Sequence, residues 1–142
     1  MAAPTVREHM TPNPLTVDVT MSVAKAHRIM GDKSVRHLPV VKNGDLIGIV
    51  TLSDILDLSL SESNHMNFFE PNYLMGSVPV DELMTPEPVT ISPNNSVLEA
   101  ADLMFEHDIG SLPVMEDSKI IGIITKTDIF HLVVRILAEQ DN

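Results

Sequence analysis

Apolar residues recur along this chain with two different spacings, and the same order of spacings occurs twice. Helical spacing, at i, i+3, i+4 and i+7, occurs at Val97, Ala100, Ala101 and Met104, and again at Val23, Ala26 and Met30. Runs typical of β-strands are LTV and VTI, then LPVV and LPVM, then LIGIVT and IIGIIT. A second helical segment closes each copy, SDILDLSL and TDIFHLVVRIL. The pattern predicts an α+β fold with the order β-α-β-β-α, twice.

The two copies align without a gap at an offset of 74 residues. Val6–Leu58 faces Val80–Leu132, and 21 of the 53 aligned positions are identical. Self-similarity at a fixed offset is the sequence signature of a duplicated structural unit. We therefore predict repeat 1 at residues 1–58, an inter-repeat linker at 59–79 and repeat 2 at 80–142.

Turn residues and aromatic residues add detail to this outline. Asn43-Gly44 is a strong two-residue hairpin signal, and the equivalent Asp117-Ser118 is a weaker one. The third strand of each copy is apolar on both faces, which predicts a central place in its sheet. The linker contains three of the five aromatic residues, Phe68, Phe69 and Tyr73. We expect these rings to cover an edge of the core between the repeats; a contact with a partner or a second copy is the alternative.

Composition and charge narrow the class of protein. The chain has no cysteine and no apolar run long enough for a signal peptide or a membrane span, so we expect a soluble cytoplasmic protein. A net charge of −11 argues against binding to nucleic acid. Residues 1–58 hold six basic and six acidic residues, whereas the remainder carries the whole excess of negative charge. The first repeat is therefore expected to provide the attraction for a small anion.

Four landmarks occur in both copies and in the same order: M-T-P, h-x-x-A-x-x-x-M, L-P-V and G-I-h-T-x-x-D, where h is an apolar residue. This arrangement resembles a tandem pair of CBS domains, also called a Bateman module, and is similar to the small acetoin-utilisation type of CBS protein. The likeness covers about three quarters of the chain, with no catalytic or DNA-binding domain left over. The resemblance implies two repeats packed as a pseudo-twofold pair, and a homodimer in which four repeats form a disc.

The resemblance also implies a sensor that binds adenosine-containing ligands in two clefts and regulates a partner protein. Candidate ligands are AMP, ADP or ATP, S-adenosylmethionine or a dinucleotide, with Mg²⁺ arriving only with a nucleotide. It assigns the ribose hydroxyls to Asp54 and Asp128. The groups that it places near the phosphates are Thr51, Thr125, Arg36, His37 and Ser111. The predicted adenine pocket and backbone contacts comprise Thr16, Val17, Thr90, Ile91, Gly48 and Gly122.

The chemistry of these residue types agrees with the assignment and also offers an alternative. An ionised carboxylate has two acceptor oxygens for vicinal hydroxyls, and a Thr hydroxyl beside the free N–H groups of a helix start suits an anion. Glycine at 48 and 122 allows a close backbone approach or a bulge. However, T-x-x-D before an apolar helical run is itself a capping box, so Thr51 and Asp54 could stabilise a helix with no ligand present.

Other functions are less well supported by the residues. The remaining histidines show no metal-ligand spacing, so no metal site is predicted. No nucleophile and base stand in a recognisable arrangement, so the chain is not expected to be an enzyme. The alternative to a sensor is a structural interaction protein without a ligand. Dimerisation is predicted through the second helix of each copy, whose apolar residues are Ile55, Leu56, Leu58, Ile129, Phe130, Leu132 and Val133.

Overall fold

The structure of the chain, a computed structural model, describes residues 2–62, 76 and 78–141. Its helices are α1 Val6–His9, α2 Val23–Lys33, α3 Leu52–Glu62, α4 Val97–His107 and α5 Lys126–Gln140. Its strands are β1 Thr11–Pro12, β2 Val17–Asp18, β3 His37–Lys42, β4 Asp45–Thr51, β5 Thr85–Pro86, β6 Ser111–Glu116 and β7 Lys119–Thr125. The α+β class and the doubled β-α-β-β-α order are confirmed, although the first strand of the second copy is reduced to a single bridge between Ile91 and Val114. The aromatic residues of the linker lie outside the described residues.

The chain forms two compact units, and each unit combines parts of both sequence repeats. Unit 1 comprises residues 1–14 and 89–142, with a sheet in the order β1-β7-β6. Unit 2 comprises residues 15–88, with a sheet in the order β2-β3-β4-β5. The first residues of each repeat thus belong to the unit that contains most of the other repeat. The repeat ranges describe the duplication in the sequence, and the compact units do not coincide with them.

Two short segments, which we call straps, each pair with a strand of the other sequence repeat. The N-terminal strap, residues 5–13, contains α1 and β1, and β1 pairs antiparallel with β7. The second strap, residues 79–87, contains a 3₁₀ turn at Val80–Glu82 and β5, which pairs antiparallel with β4. Val6 and Val80 are fully buried at equivalent positions of the two straps. Each strap therefore contributes to the hydrophobic core of its unit as well as to its sheet.

The straps also determine which strands are central. In each unit the third strand of the repeat lies between its hairpin partner and a strap strand, so the predicted central position is confirmed for β4 and β7. Without the strap these strands would lie at a sheet edge with unpaired backbone groups. Both hairpin turns form with left-handed backbone, at Asn43-Gly44 and at Asp117-Ser118. The weaker of the two turn signals therefore gives the same turn as the stronger one.

Serine side chains begin the first helix of each repeat. The Ser22 hydroxyl accepts from Lys25 N, and the Ser96 hydroxyl accepts from Glu99 N. The sequence suggested a full capping box between Ser96 and Glu99, but the Glu99 carboxylate accepts from the Asn95 side-chain amide. Only one half of that box is present. The apolar stripes of α2 and α4 are buried as predicted except at Ala101, which is half-buried, and Ala26 and Ala100 are fully inaccessible to solvent.

Candidate functional site

The first G-h-h-T-x-x-D motif forms the junction of β4 and α3 in unit 2. The Thr51 hydroxyl accepts from Asp54 N at 3.1 Å, and Asp54 Oδ2 accepts from Thr51 N at 3.2 Å. These two bonds close a reciprocal cap over the first turn of α3. Both side chains are half-buried. The cap occupies one carboxylate oxygen of Asp54, and no hydrogen bond from a described residue engages the other.

The second motif repeats this geometry at the junction of β7 and α5 in unit 1. Thr125 and Asp128 form a capping box in which Asp128 Oδ2 accepts from Thr125 N at 2.9 Å and the Thr125 hydroxyl accepts from Asp128 N at 3.3 Å. The capping interpretation of T-x-x-D is thus confirmed in both units. Here the other oxygen has a partner, because the Thr11 hydroxyl donates to Asp128 Oδ1 at 3.5 Å. We call the pairs Thr51–Asp54 and Thr125–Asp128 the first and second Thr–Asp sites.

Strand pairing brings the residues before L-P-V next to these sites. His37 lies opposite Thr51 in the β3–β4 pair, and the Arg36 carbonyl accepts from Leu52 N at 2.9 Å. The Arg36 side chain is exposed and forms no ion pair with any described residue. The equivalent pair in unit 1 is Ser111 opposite Thr125, with Ser111 buried. The residues predicted to lie near the phosphates, Arg36, His37 and Ser111, are therefore next to the Thr–Asp site of their own unit along the paired strands.

The two glycines of the motifs are in close contact with the straps. A Cβ on Gly122 would overlap the Met10 sulfur and lie 3.1 Å from the Thr11 carbonyl oxygen. A Cβ on Gly48 would meet Met84 and the Thr85 carbonyl oxygen in the same way. The close approach that the sequence indicated at both glycines is made by a methionine of a strap. A ligand contact at either glycine stays a prediction.

The predicted adenine-pocket residues lie further along the same sheets. Val17 pairs with Val40 in parallel and is buried, while Thr16 beside it is half-buried. In unit 1, Ile91 bridges to Val114, three residues beyond Ser111, which corresponds to about 10 Å along the strand. Thr90 and Ile91 line a cavity of about 480 Å³, whose other walls are Ser92, Asn95, Glu99, Asp102, Leu103, Glu106 and Met115. The second Thr–Asp site is not part of the lining of this cavity.

Charge is distributed differently over the compact units than over the repeats. Counted by sequence, unit 1 holds four basic and ten acidic residues, and unit 2 holds five basic and ten acidic residues. The neutrality of residues 1–58 is thus lost in the folded unit, because the acidic residues of 59–88 belong to it. The net charges of the units, −6 for unit 1 and −5 for unit 2, therefore give no strong preference of an anion for the first site.

His27 and Asp18, which belong to neither Thr–Asp site, have shifted pKa values. Burial lowers the pKa of His27, which lies on α2 where Ala101 lies on α4. The Thr20 hydroxyl and backbone N–H donate to Asp18 and lower the pKa of that carboxyl group. Within residues 2–62, 76 and 78–141, no three acidic or histidine side chains come together as metal ligands. None of the helices in that part of the chain is both long enough and apolar enough to cross a membrane.

Unit 1 also carries an exposed apolar surface on its helices. A groove of about 400 Å³, the α4–α5 groove, is lined by Ala101, Met104, Phe105, Asp108, Lys126, Ile129, Phe130 and Val133. The side chains of Phe105 and Phe130 are 88% and 67% exposed. Of the apolar residues predicted for dimerisation, Ile55 and Leu132 belong to the cores, whereas Leu56, Phe130 and Val133 remain exposed.

Sequence comparison identifies the family of both repeats. The family model described as CBS domain matches residues 6–61 and again residues 80–135. A CBS domain-containing protein of Bacillus subtilis, YhcV, is 30% identical over 124 residues, which cover 87% of this chain and 81% of the relative. An inosine-5′-monophosphate dehydrogenase of Korarchaeum cryptofilum is 33% identical over 82% of this chain. The chain spans only 22% of the length of that enzyme.

Solved structures with the same fold include nucleotide complexes. A Vibrio cholerae protein named for acetoin utilization, AcuB, matches with a TM-score of 0.79 and 30% identity, covering 99% of this chain and 97% of that chain. CBSX2 in complex with AMP matches with a TM-score of 0.75 and 31% identity over 94% of this chain and 98% of that one. The CBS domain pair of MJ0100, in complex with 5′-methylthioadenosine and S-adenosyl-L-methionine, matches with a TM-score of 0.79 and 26% identity. The match covers 93% of this chain and 97% of that chain.

Proposed function

The chain belongs to the family of CBS-domain proteins, and on that basis we propose that it is a regulatory module that binds adenosine-containing nucleotides at its Thr–Asp sites and transmits the change to a partner protein. The observation that carries the proposal is that the cap uses only one of the two carboxylate oxygens of each Asp. Oδ2 closes the cap, while Oδ1 is unused by the cap and is suited to accept from ribose hydroxyls. AMP and S-adenosyl-L-methionine in the related structures support this ligand class.

A panel of ligands tests the proposal directly. Adenosine, AMP, ADP, ATP and S-adenosylmethionine, with and without Mg²⁺, are added separately, and the thermal unfolding of the chain is followed. A ligand present at 100 times its Kd adds about 2.7 kcal/mol to the free energy of unfolding, which corresponds to a rise in Tm of roughly 10 °C. We expect such a rise for at least one adenine compound and none for the matched guanine and cytosine compounds. If no compound raises Tm, the second candidate, a structural interaction protein without a ligand, is favoured.

We expect Arg36 to distinguish charged ligands from neutral ones. Its backbone lies next to the first Thr–Asp site, its side chain is exposed, and its guanidinium has a planar fork suited to phosphate. Arg36→Ala should weaken ATP or ADP binding by about tenfold and leave adenosine binding nearly unchanged, because only the phosphates lose a charge-assisted hydrogen bond. The salt dependence of ATP binding should also become smaller. Titration calorimetry measures both quantities.

Arg28→Ala is the matched control for this experiment. Arg28 is exposed on α2, and its removal changes the net charge by the same amount. ATP binding to this variant should resemble that of the wild type. An equal loss of adenosine, AMP and ATP in Arg36→Ala would show that Arg36 does not act through the phosphates.

We further propose that the chain forms a homodimer and that a second copy covers the α4–α5 groove. Two exposed phenylalanines beside a groove of about 400 Å³ form an apolar surface of the kind that marks a protein interface. A role without catalysis and a cytoplasmic location complete the proposal. Both rest on the sequence, which contains no cysteine and no recognisable arrangement of catalytic residues.

A further inference from the structure

We propose that Thr11, a residue of the N-terminal strap, forms part of the ribose-binding surface at the second Thr–Asp site. The inference rests on the proposed function and extends it, because the site would then combine Asp128 of repeat 2 with a side chain from the start of repeat 1. Its starting point is the hydrogen bond from the Thr11 hydroxyl to Asp128 Oδ1, the oxygen that the capping box does not use.

The backbone holds Thr11 in this position independently of any ligand. In the β1–β7 pair Thr11 lies opposite Ile123, and Asn13 N donates to the Ile121 carbonyl at 3.0 Å. At the other end of the strap, Val6 N donates to the Asn95 carbonyl at 2.8 Å, and Val6 is buried in the core of unit 1. The strap is therefore attached at both ends, and its threonine is a fixed part of the site.

The chemistry of the contact suits a ribose. A carboxylate oxygen has two lone pairs, so Asp128 Oδ1 can accept from Thr11 and from a ribose hydroxyl together. The Thr11 hydroxyl is also an acceptor and can take a hydrogen bond from the neighbouring ribose hydroxyl. At 3.5 Å its bond to Asp128 is long, so a ligand displaces little when it enters. Thr11 and Asp128 thus form a paired acceptor for the two vicinal hydroxyls.

Unit 2 provides a natural control for this arrangement. Thr85 occupies the same place in the second strap, opposite Ile49 in the β4–β5 pair. Among the described residues, however, no hydrogen bond joins the Thr85 hydroxyl to Asp54. The two straps are equivalent in backbone pairing and differ in this side-chain contact. Thr85→Val therefore reproduces the effect of removing a strap hydroxyl without removing a contact to the carboxylate.

The test uses Asp54→Asn as the parent, so that the second site dominates the titration. Thr11→Val and Thr85→Val are each added, and calorimetry gives Kd for AMP, 2′-deoxy-AMP and 3′-deoxy-AMP. We expect Thr11→Val to weaken AMP about threefold to tenfold, in line with the loss of one hydrogen bond. For the deoxy compound that lacks the hydroxyl bound by Thr11, the variant and its parent should have the same Kd. Thr85→Val should match the parent for all three ligands.

Several outcomes would overturn the inference. Equal weakening of all three ligands by Thr11→Val would indicate a general structural effect, and an unchanged AMP affinity would exclude the contact. The same loss in Thr85→Val would remove the distinction between the straps. If the wild type binds AMP but the Asp54→Asn parent does not, the second site does not bind it and only this inference fails. If the wild type binds no adenine compound, the proposed function fails as well.

Discussion

Replacing Asp54 or Asp128 with alanine is expected to weaken adenine-nucleotide binding by tenfold or more at the altered site. Each carboxylate supplies the charged acceptor that we assign to the ribose, and a hydrogen bond to a charged group contributes about 1.5–3 kcal/mol. The same substitution removes half of a reciprocal cap and should lower the free energy of unfolding by about 1 kcal/mol. Calorimetry with AMP and ATP gives the first quantity, and urea unfolding without ligand gives the second.

Asparagine at the same positions separates the two roles. Its side-chain oxygen can still accept from the backbone N–H of Thr51 or Thr125, so the cap and most of the stability should be retained. Its charge is lost, so nucleotide binding should still weaken. Alanine variants that unfold more easily but bind AMP and ATP like the wild type would leave these residues with a capping role alone.

This distinction could not be made from the sequence. T-x-x-D at a helix start satisfies a capping box and a ribose site with the same residues at the same spacing, because both need acceptors beside unpaired N–H groups. The cap is present at both Thr51–Asp54 and Thr125–Asp128, and Oδ1 of each Asp lies outside it. The cap and the proposed ligand contact would therefore use different oxygens of one carboxylate, so the two roles are compatible.

The repeated elements were predictable because each is specified locally. Apart from the half-buried Ala101, the stripes that contain Ala26 and Ala100 are buried as their spacing indicated, and both hairpins form at the predicted turns. A period of 3.6 or 2 residues reports which face of an element is buried, and this information is contained in a short window. Such patterns give the elements and their order.

The exchange of the straps was not predictable in the same way. β1 and β5 are only two residues long, and Met10-Thr11-Pro12 has no periodicity that identifies a partner strand. Pairing of Thr11 with Ile123 is a contact between residues far apart in sequence, which no local pattern encodes. The repetition of M-T-P at 10–12 and 84–86 was the available signal. This repetition indicated that the segment belongs to the duplicated unit. It did not indicate that the segment pairs with a strand of the other repeat.

Phe130→Asp is expected to convert the proposed homodimer into a monomer. Phe130 lines the α4–α5 groove and is 67% exposed on α5, so it is available to a second copy. In a twofold-symmetric interface each substitution is present twice. Loss of a buried aromatic anchor costs roughly 2 kcal/mol or more per site, and two copies therefore weaken association by roughly a thousandfold. Placing a carboxylate in an apolar contact adds a desolvation cost.

His131→Asp is the matched control, because it also introduces a carboxylate into α5. The residue is exposed next to Phe130 but does not line the groove. Sedimentation velocity at micromolar concentration should therefore give a dimer for the wild type and for His131→Asp, and a monomer for Phe130→Asp. Circular dichroism of all three proteins should show the same secondary structure, since Phe130 is outside the core of unit 1. A wild type that sediments as a monomer would contradict the dimer, and a dimeric Phe130→Asp would place the interface elsewhere.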